Sequence, residues 1–202
     1  YTNSMLLPIK NLLGTPIMSL QTGAELAHTT HPIIDPRKMT IIAFYVEGSL
    51  LESNPSVLHV SDIRELSDIG LIIDDSDKLM ATEGLVRLQE IIDFEFELDG
   101  VQVVDEREHK LGKVADYAID PDTYMVQQIY TEQSLIRSLS RVSNIIHRSQ
   151  IISVTNEKIV VKSPTVPATE ISENIIEKTF VNPFRAKPQQ ETINQGSSRQ
   201  TH

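Results

Sequence analysis

The chain has no cysteine and no tryptophan, 5% aromatic residues, and a clearest apolar run, Ile41–Val46, of six residues. The missing thiols exclude disulfides, thiolate metal sites and a cysteine nucleophile. Six apolar residues fall far short of the roughly 20 that a membrane-spanning helix needs. Basic charge is also scarce: the 202 residues carry 18 Lys and Arg against 28 Asp and Glu, a net charge of −10. Arg185, Lys187 and Arg199 lie in the last 22 residues with only Glu191 against them, so the rest of the chain is more acidic still. A field of that sign repels phosphate backbones and anionic lipid surfaces, which disfavours nucleic acid as a partner without a local basic patch. No charged leader precedes a long apolar stretch, so no secretory signal is expected and the cytoplasm is the expected location.

Familiar catalytic signatures are missing too. No serine sits in Gly-x-Ser-x-Gly, no phosphate-binding Gly-x-x-x-x-Gly-Lys occurs, and no Gly-x-Gly-x-x-Gly follows a strand-like run. The expectation is a non-enzyme without cofactor or metal.

What the sequence does contain is a duplication. Gly14-Thr15-Pro16-Ile17, Gly23, Ile34-Asp35-Pro36 and the run Ile41–Val46 follow one another in the first half. Gly100-Val101-Gln102-Val103, Gly112, Ile119-Asp120-Pro121 and Met125–Tyr130 repeat that order about 85 positions later. Ile63–Leu66 and Ile69–Ile73 correspond in turn to Ile151–Val154 and Glu157–Val161 at an offset of 88. A period of this length points to two copies of one small fold and not to a solenoid.

Short strand-like runs between turn residues fill both copies, which argues for an all-β fold of small antiparallel barrels or sandwiches. The Asp-Pro pairs make hairpin turns because proline presets φ while the aspartate caps its own backbone. Residues 82–92 place Leu85, Leu88, Ile91 and Ile92 at helical spacing behind Thr82, a short helix that would bridge the copies. Residues 168–180 carry a second apolar stripe of Ile171, Ile175, Ile176 and Phe180, introduced by Pro164 and Pro167. The expected layout is therefore a first repeat at 5–80, a linker helix at 81–93 and a second repeat at 94–163. A linker and amphipathic helix follow at 164–184, then a disordered polar tail at 185–202.

The order of these motifs resembles the PRC-barrel family, named for the cytoplasmic domain of the photosynthetic reaction-centre H subunit. The C-terminal domain of a ribosome-maturation factor belongs to the same family. The likeness rests on Gly14 to Ile17, the glycines at 23 and 112, both Ile-Asp-Pro hairpins and the stretch from Ile146 to Val161. It covers nearly everything from Met5 to Lys162, and departs at Gln102, where the first copy has Pro16. It implies two tandem, strongly bent β-barrels joined by a short helix, serving as a protein-interaction or assembly module. It brings no catalytic motif.

Candidate site residues follow from these readings. The stripe Ile171, Ile175, Ile176 and Phe180 either docks on the barrels or binds a protein partner. Arg137, Arg141 and Arg148, set among serines, form the one locally basic stretch and support the alternative of an RNA- or ribosome-associated factor. No aromatic side chain interleaves with them, so solvated arginines offsetting nearby acids are the simpler reading. His59 and His147 occupy equivalent positions and are read as polar residues at a strand edge. His28 and His31 lack counterparts, and Asp74, Asp75 and Asp77 lack the glycine and glutamate of a calcium loop. A homo-oligomer is compatible with all of this; the partner's identity is not readable.

Overall fold

The computed structural model describes residues 5–81, 86–134 and 141–163. Eight strands precede the helix α1 (Val86–Ile92): β1 (Leu7–Pro8), β2 (Pro16–Ser19), β3 (Glu25–Asp35), β4 (Thr40–Glu47), β5 (Ser56–His59), β6 (Ile63–Ser67), β7 (Gly70–Ile73) and β8 (Leu79–Ala81). Six follow it: β9 (Gln102–Asp105), β10 (Lys110–Ile119), β11 (Val126–Ser134), β12 (Arg141–His147), β13 (Ile151–Val154) and β14 (Lys158–Val161). The all-β class holds. Residues 82–85, which the helix reading also included, lie outside the described residues, as do the stripe and tail beyond 163.

The strands form two seven-stranded sheets. The first runs β6-β7-β2-β3-β4-β5-β8; the second runs β13-β14-β9-β10-β11-β12, with β1 paired to β10. Stripped of β1 and β8, the two orders are the same. The register repeats as well: Ala43 faces His59 and Phe44 faces Leu58, just as Gln128 faces His147 and Ile129 faces Ile146. Even the irregularities recur, with a register shift between Ile33 and Ile34 and another between Ala118 and Ile119. The ladder of neither sheet closes on itself among the described residues.

The expectation of purely antiparallel sheets is corrected by one parallel pair in each. β2 runs parallel to β7, and β9 parallel to β14. The cause is a 3-10 turn, Val60–Asp62 in the first copy and Arg148–Gln150 in the second. Because β6 is antiparallel to β7 while β5 is antiparallel to β4, this turn must bend the chain without reversing it. β5 and β6 therefore point the same way, and β7 returns alongside β2.

The Asp-Pro turns do what their chemistry requires. Asp35 Oδ1 accepts the backbone N–H of Arg37 at 3.0 Å, and Asp120 Oδ1 accepts that of Asp122 at 2.9 Å. Gly14 and Gly100 hold φ of 71° and 77° at the entry to each copy. From there their N–H groups donate to Thr29 O and Val114 O, the same bond made twice.

One continuous set of buried side chains draws on both sheets, including Ile17, Ile41, Phe44 and Leu71 from the first and Val103, Ile119, Ile129 and Ile159 from the second. A smaller cluster lies on the opposite face of the first sheet, where Leu88 of α1 packs on Ile33, Ala43 and Val57. That second cover explains why β4 reads as a nearly unbroken apolar run: a strand buried on both faces has no solvent side to mark with polar residues.

Candidate functional site

The two sheets meet at the ends of their Asp-Pro turns. Ile41 N–H donates to Tyr124 O and Val126 N–H donates to Met39 O, both at 2.9 Å. Thr40 and Met125 form the antiparallel bridge between these bonds. Thr40 faces its own counterpart, and the two flanking bonds exchange into one another when the copies are exchanged, so the contact obeys a local two-fold relationship. Met39 and Tyr124 both adopt left-handed φ, 49° and 56°, which turns their carbonyls toward the other copy. The Tyr124 ring also meets Phe44 edge-on with centroids 6.5 Å apart, a geometry that adds about 0.5–1.5 kcal/mol to simple burial.

Arg148 belongs to this junction. Its Nη2 donates to Lys38 O at 2.6 Å, and its Nη1 donates to Met39 O at 3.3 Å and Val126 O at 3.4 Å. The guanidinium is thus directed at backbone carbonyls of both copies. Of the other candidate arginines, Arg137 lies outside the described residues, and only the backbone of Arg141 is described, in β12. The stripe residues Ile171, Ile175, Ile176 and Phe180 also lie outside them.

The acidic and imidazole groups that could do chemistry have structural partners. Asp105 is nearly buried and collects the N–H groups of Arg107 and His109, both at 2.8 Å. Its Oδ2 also meets His109 Nδ1 at 2.9 Å and the Ser163 hydroxyl at 3.1 Å. Burial pushes this carboxyl up, but the hydrogen bonds from His109, Arg107 and Ser163 outweigh it and hold the pKa down at about 2. Ser163 and His109 contact the same carboxylate oxygen, so the imidazole does not stand between hydroxyl and acid as a nucleophile relay requires. The cluster fastens the end of β9 to the chain leaving β14.

Asp35 is similarly committed. The Arg37 guanidinium hydrogen-bonds both its oxygens, at 2.9 and 3.1 Å, and lowers its pKa against the opposing effect of burial. The same guanidinium stands 5.3 Å from the centroid of the Phe94 ring. Asp74 pairs with Arg64 through two bonds of 2.8 and 2.9 Å, and Asp75 accepts Asp77 N–H at the start of a 3-10 turn. His59 and His147 begin the equivalent 3-10 turns: His59 Nδ1 accepts from Ser61 N–H, and His147 N–H donates to Gln150 Oε1. No group of three or more His, Asp or Glu side chains suited to a metal ion occurs among the described residues.

Two surface features could not be read from the sequence alone. An open groove of about 720 Å³ lies against the second sheet, lined in part by Gln127, Gln128, His147 and Ile151. The outer edges of the two sheets also differ. β6 presents Arg64 and Glu65, whereas its counterpart β13 presents Ile152 and Ser153, with Ile152 52% exposed. Only the duplicated register shows that these are equivalent positions; neither run stands out by itself.

No helix among the described residues is long and apolar enough to cross a membrane. No protein-family model matches this sequence, and no curated protein matches it.

Proposed function

We propose that the chain is a non-catalytic protein-interaction module of two PRC-barrel-like repeats joined by a short helix, working in the cytoplasm as part of an assembly. The observation that carries this reading is the uncharged edge of the second sheet. Edge strands with unpaired N–H and C=O groups invite another strand, and proteins commonly block them with charge. β6 follows that rule with Arg64 and Glu65, while β13 places Ile152 and Ser153 at the matching positions. An extended peptide of a partner adding to β13 would gain main-chain hydrogen bonds, with Ile152 offering an apolar contact. The acids and imidazoles described above support the non-catalytic part, since each is held by a turn, an ion pair or a cap.

Affinity capture with mass spectrometry tests the proposal, comparing the full chain with Ile152→Lys. A lysine on the edge leaves the fold intact and blocks strand addition, so a protein enriched by the natural chain should be lost from the variant. Equal capture by both, or no specific protein with the natural chain, would overturn the assignment to β13.

A further inference from the structure

The two Asp-Pro turns are built alike and finished differently. In each, the aspartate Oδ1 accepts the backbone N–H two residues on, Arg37 for Asp35 and Asp122 for Asp120. Position 122 is therefore the counterpart of position 37. In the first copy Arg37 folds back, and its Nε and Nη2 donate to the two oxygens of Asp35 at 2.9 and 3.1 Å. In the second copy an acid stands at that place. Asp120 Oδ1 accepts the N–H groups of Asp122 and Thr123, and Oδ2 accepts no hydrogen bond among the described residues. No basic side chain among them pairs with Asp120 or Asp122.

The carboxylate that lacks an arginine adjoins open space. Asp120 lines the groove of about 720 Å³ together with Leu6, Gln128 and His147. An apolar neighbour recurs as well. Phe94, on the segment that leads into the second copy, lies 5.3 Å from the Arg37 guanidinium. Leu6, on the segment that leads into the first copy, stands beside Asp120, because Leu7 pairs with Ile119 in antiparallel register. Arg148 also lines the groove, but its guanidinium donates to the carbonyls of Lys38, Met39 and Val126 and not to Asp120. With Asp122 on the same turn, the acids still outnumber it.

We propose that this groove binds a guanidinium group, with Asp120 Oδ2 as its acceptor, in the role that Arg37 plays on Asp35. A guanidinium is more weakly hydrated than an ammonium, which suits a site walled by Leu6, and its N–H groups bond strongly to a carboxylate. An arginine of a partner protein and a small guanidinium compound share this chemistry. The inference stands apart from strand addition at β13, because Ile152 does not line the groove.

NMR titration of the isotope-labelled full chain with Nα-acetylarginine amide and with free arginine tests this. Ligand is taken to about 20 mM, because a single exposed ion pair contributes little. The amide signals of Asp122 and Thr123 should move with either probe and not with Nα-acetylcitrulline amide, which keeps the shape and lacks the charge. Asp120→Asn retains the turn acceptor and should weaken binding about tenfold or more. Asp122→Arg restores the residue of the first copy, so its side chain should occupy Asp120 and abolish the response in a folded protein. Tighter binding of the blocked probe would assign the site to a partner's arginine, and tighter binding of free arginine to a small compound. Still signals with both arginine probes, an equal response to citrulline, or binding unchanged by the two variants would overturn the proposal.

Discussion

Thr40 and Met125, at equivalent positions in the two copies, face each other as an antiparallel bridge between the sheets. The bonds on either side of them, from Ile41 N–H and from Val126 N–H, are related by exchange of the copies. A contact of this kind is isologous, the form that a symmetric pair of identical subunits would use. Arg148 breaks the symmetry, because the matching position after His59 is Val60.

Arg148→Ala should therefore destabilise more than a surface arginine substitution does. Hydrogen bonds made by a charged group contribute about 1.5–3 kcal/mol each way they are lost, and three carbonyls share this guanidinium. The expected loss in urea unfolding is about 2 kcal/mol. Arg64→Ala, which breaks the exposed pair with Asp74, should cost clearly less, because solvent screens that pair. Equal effects of the two substitutions would show that Arg148 does not brace the junction.

Gly70 has a different kind of constraint. It opens β7 at φ 130°, and a Cβ there would stand 2.2 Å from the Pro16 carbonyl oxygen on the neighbouring parallel strand. Both backbone pieces belong to a sheet and cannot give way cheaply, so Gly70→Ala should cost about 2 kcal/mol or more. Gly14 also has positive φ, but no atom lies within 4 Å of its missing Cβ. Gly14→Ala should cost only the left-handed backbone term, about 1–2 kcal/mol. A thermal melt of the two variants ranks them, and the order Gly70 worse than Gly14 is the expected result.

The relation between sequence and structure is uneven along this chain. The all-β class and the repeat were legible because glycines, Asp-Pro turns and apolar runs have fixed local meanings and recurred in order. The parallel pairs were not legible, since β2–β7 contact depends on a 3-10 turn that carries caps from His59, or from Gln150 in the second copy, and no glycine or proline signature. Arg148 looked like part of a basic patch because its role depends on carbonyls of Lys38 and Met39, about 110 residues away. The exposure of Ile152 and Ile145 was equally hidden: an apolar residue in a strand does not announce whether another strand or helix covers it.

Acid should loosen the link between β9 and β14 in a defined window. The Asp105 pKa of about 2 lies below its ordinary 3.8, so folding favours the ionised carboxylate. Its contribution to stability is full above about pH 4 and is lost as pH falls toward 2. Asp105→Asn removes this titration, so the urea midpoint of the variant should fall less steeply between pH 4 and 2 than that of the natural chain. Parallel pH profiles for the two proteins would assign the acid sensitivity to other carboxylates.

Leu88 tests whether the cover on the first sheet is a separate cooperative unit. Its side chain is nearly buried and packs against Ile33, Ala43 and Val57, a cluster distinct from the one that joins the two sheets. Leu88→Ala removes the central contact of a seven-residue helix, at a cost of about 2–3 kcal/mol if the helix stays docked. A helix this short has little stability without packing, so undocking is the cheaper response. Amides of α1 should then exchange at rates close to those of an unstructured peptide, while those of Phe44 and Val46, in the joint core, keep their protection. Matched loss of protection in α1 and in β4 would instead show that the cover and the joint core unfold as one.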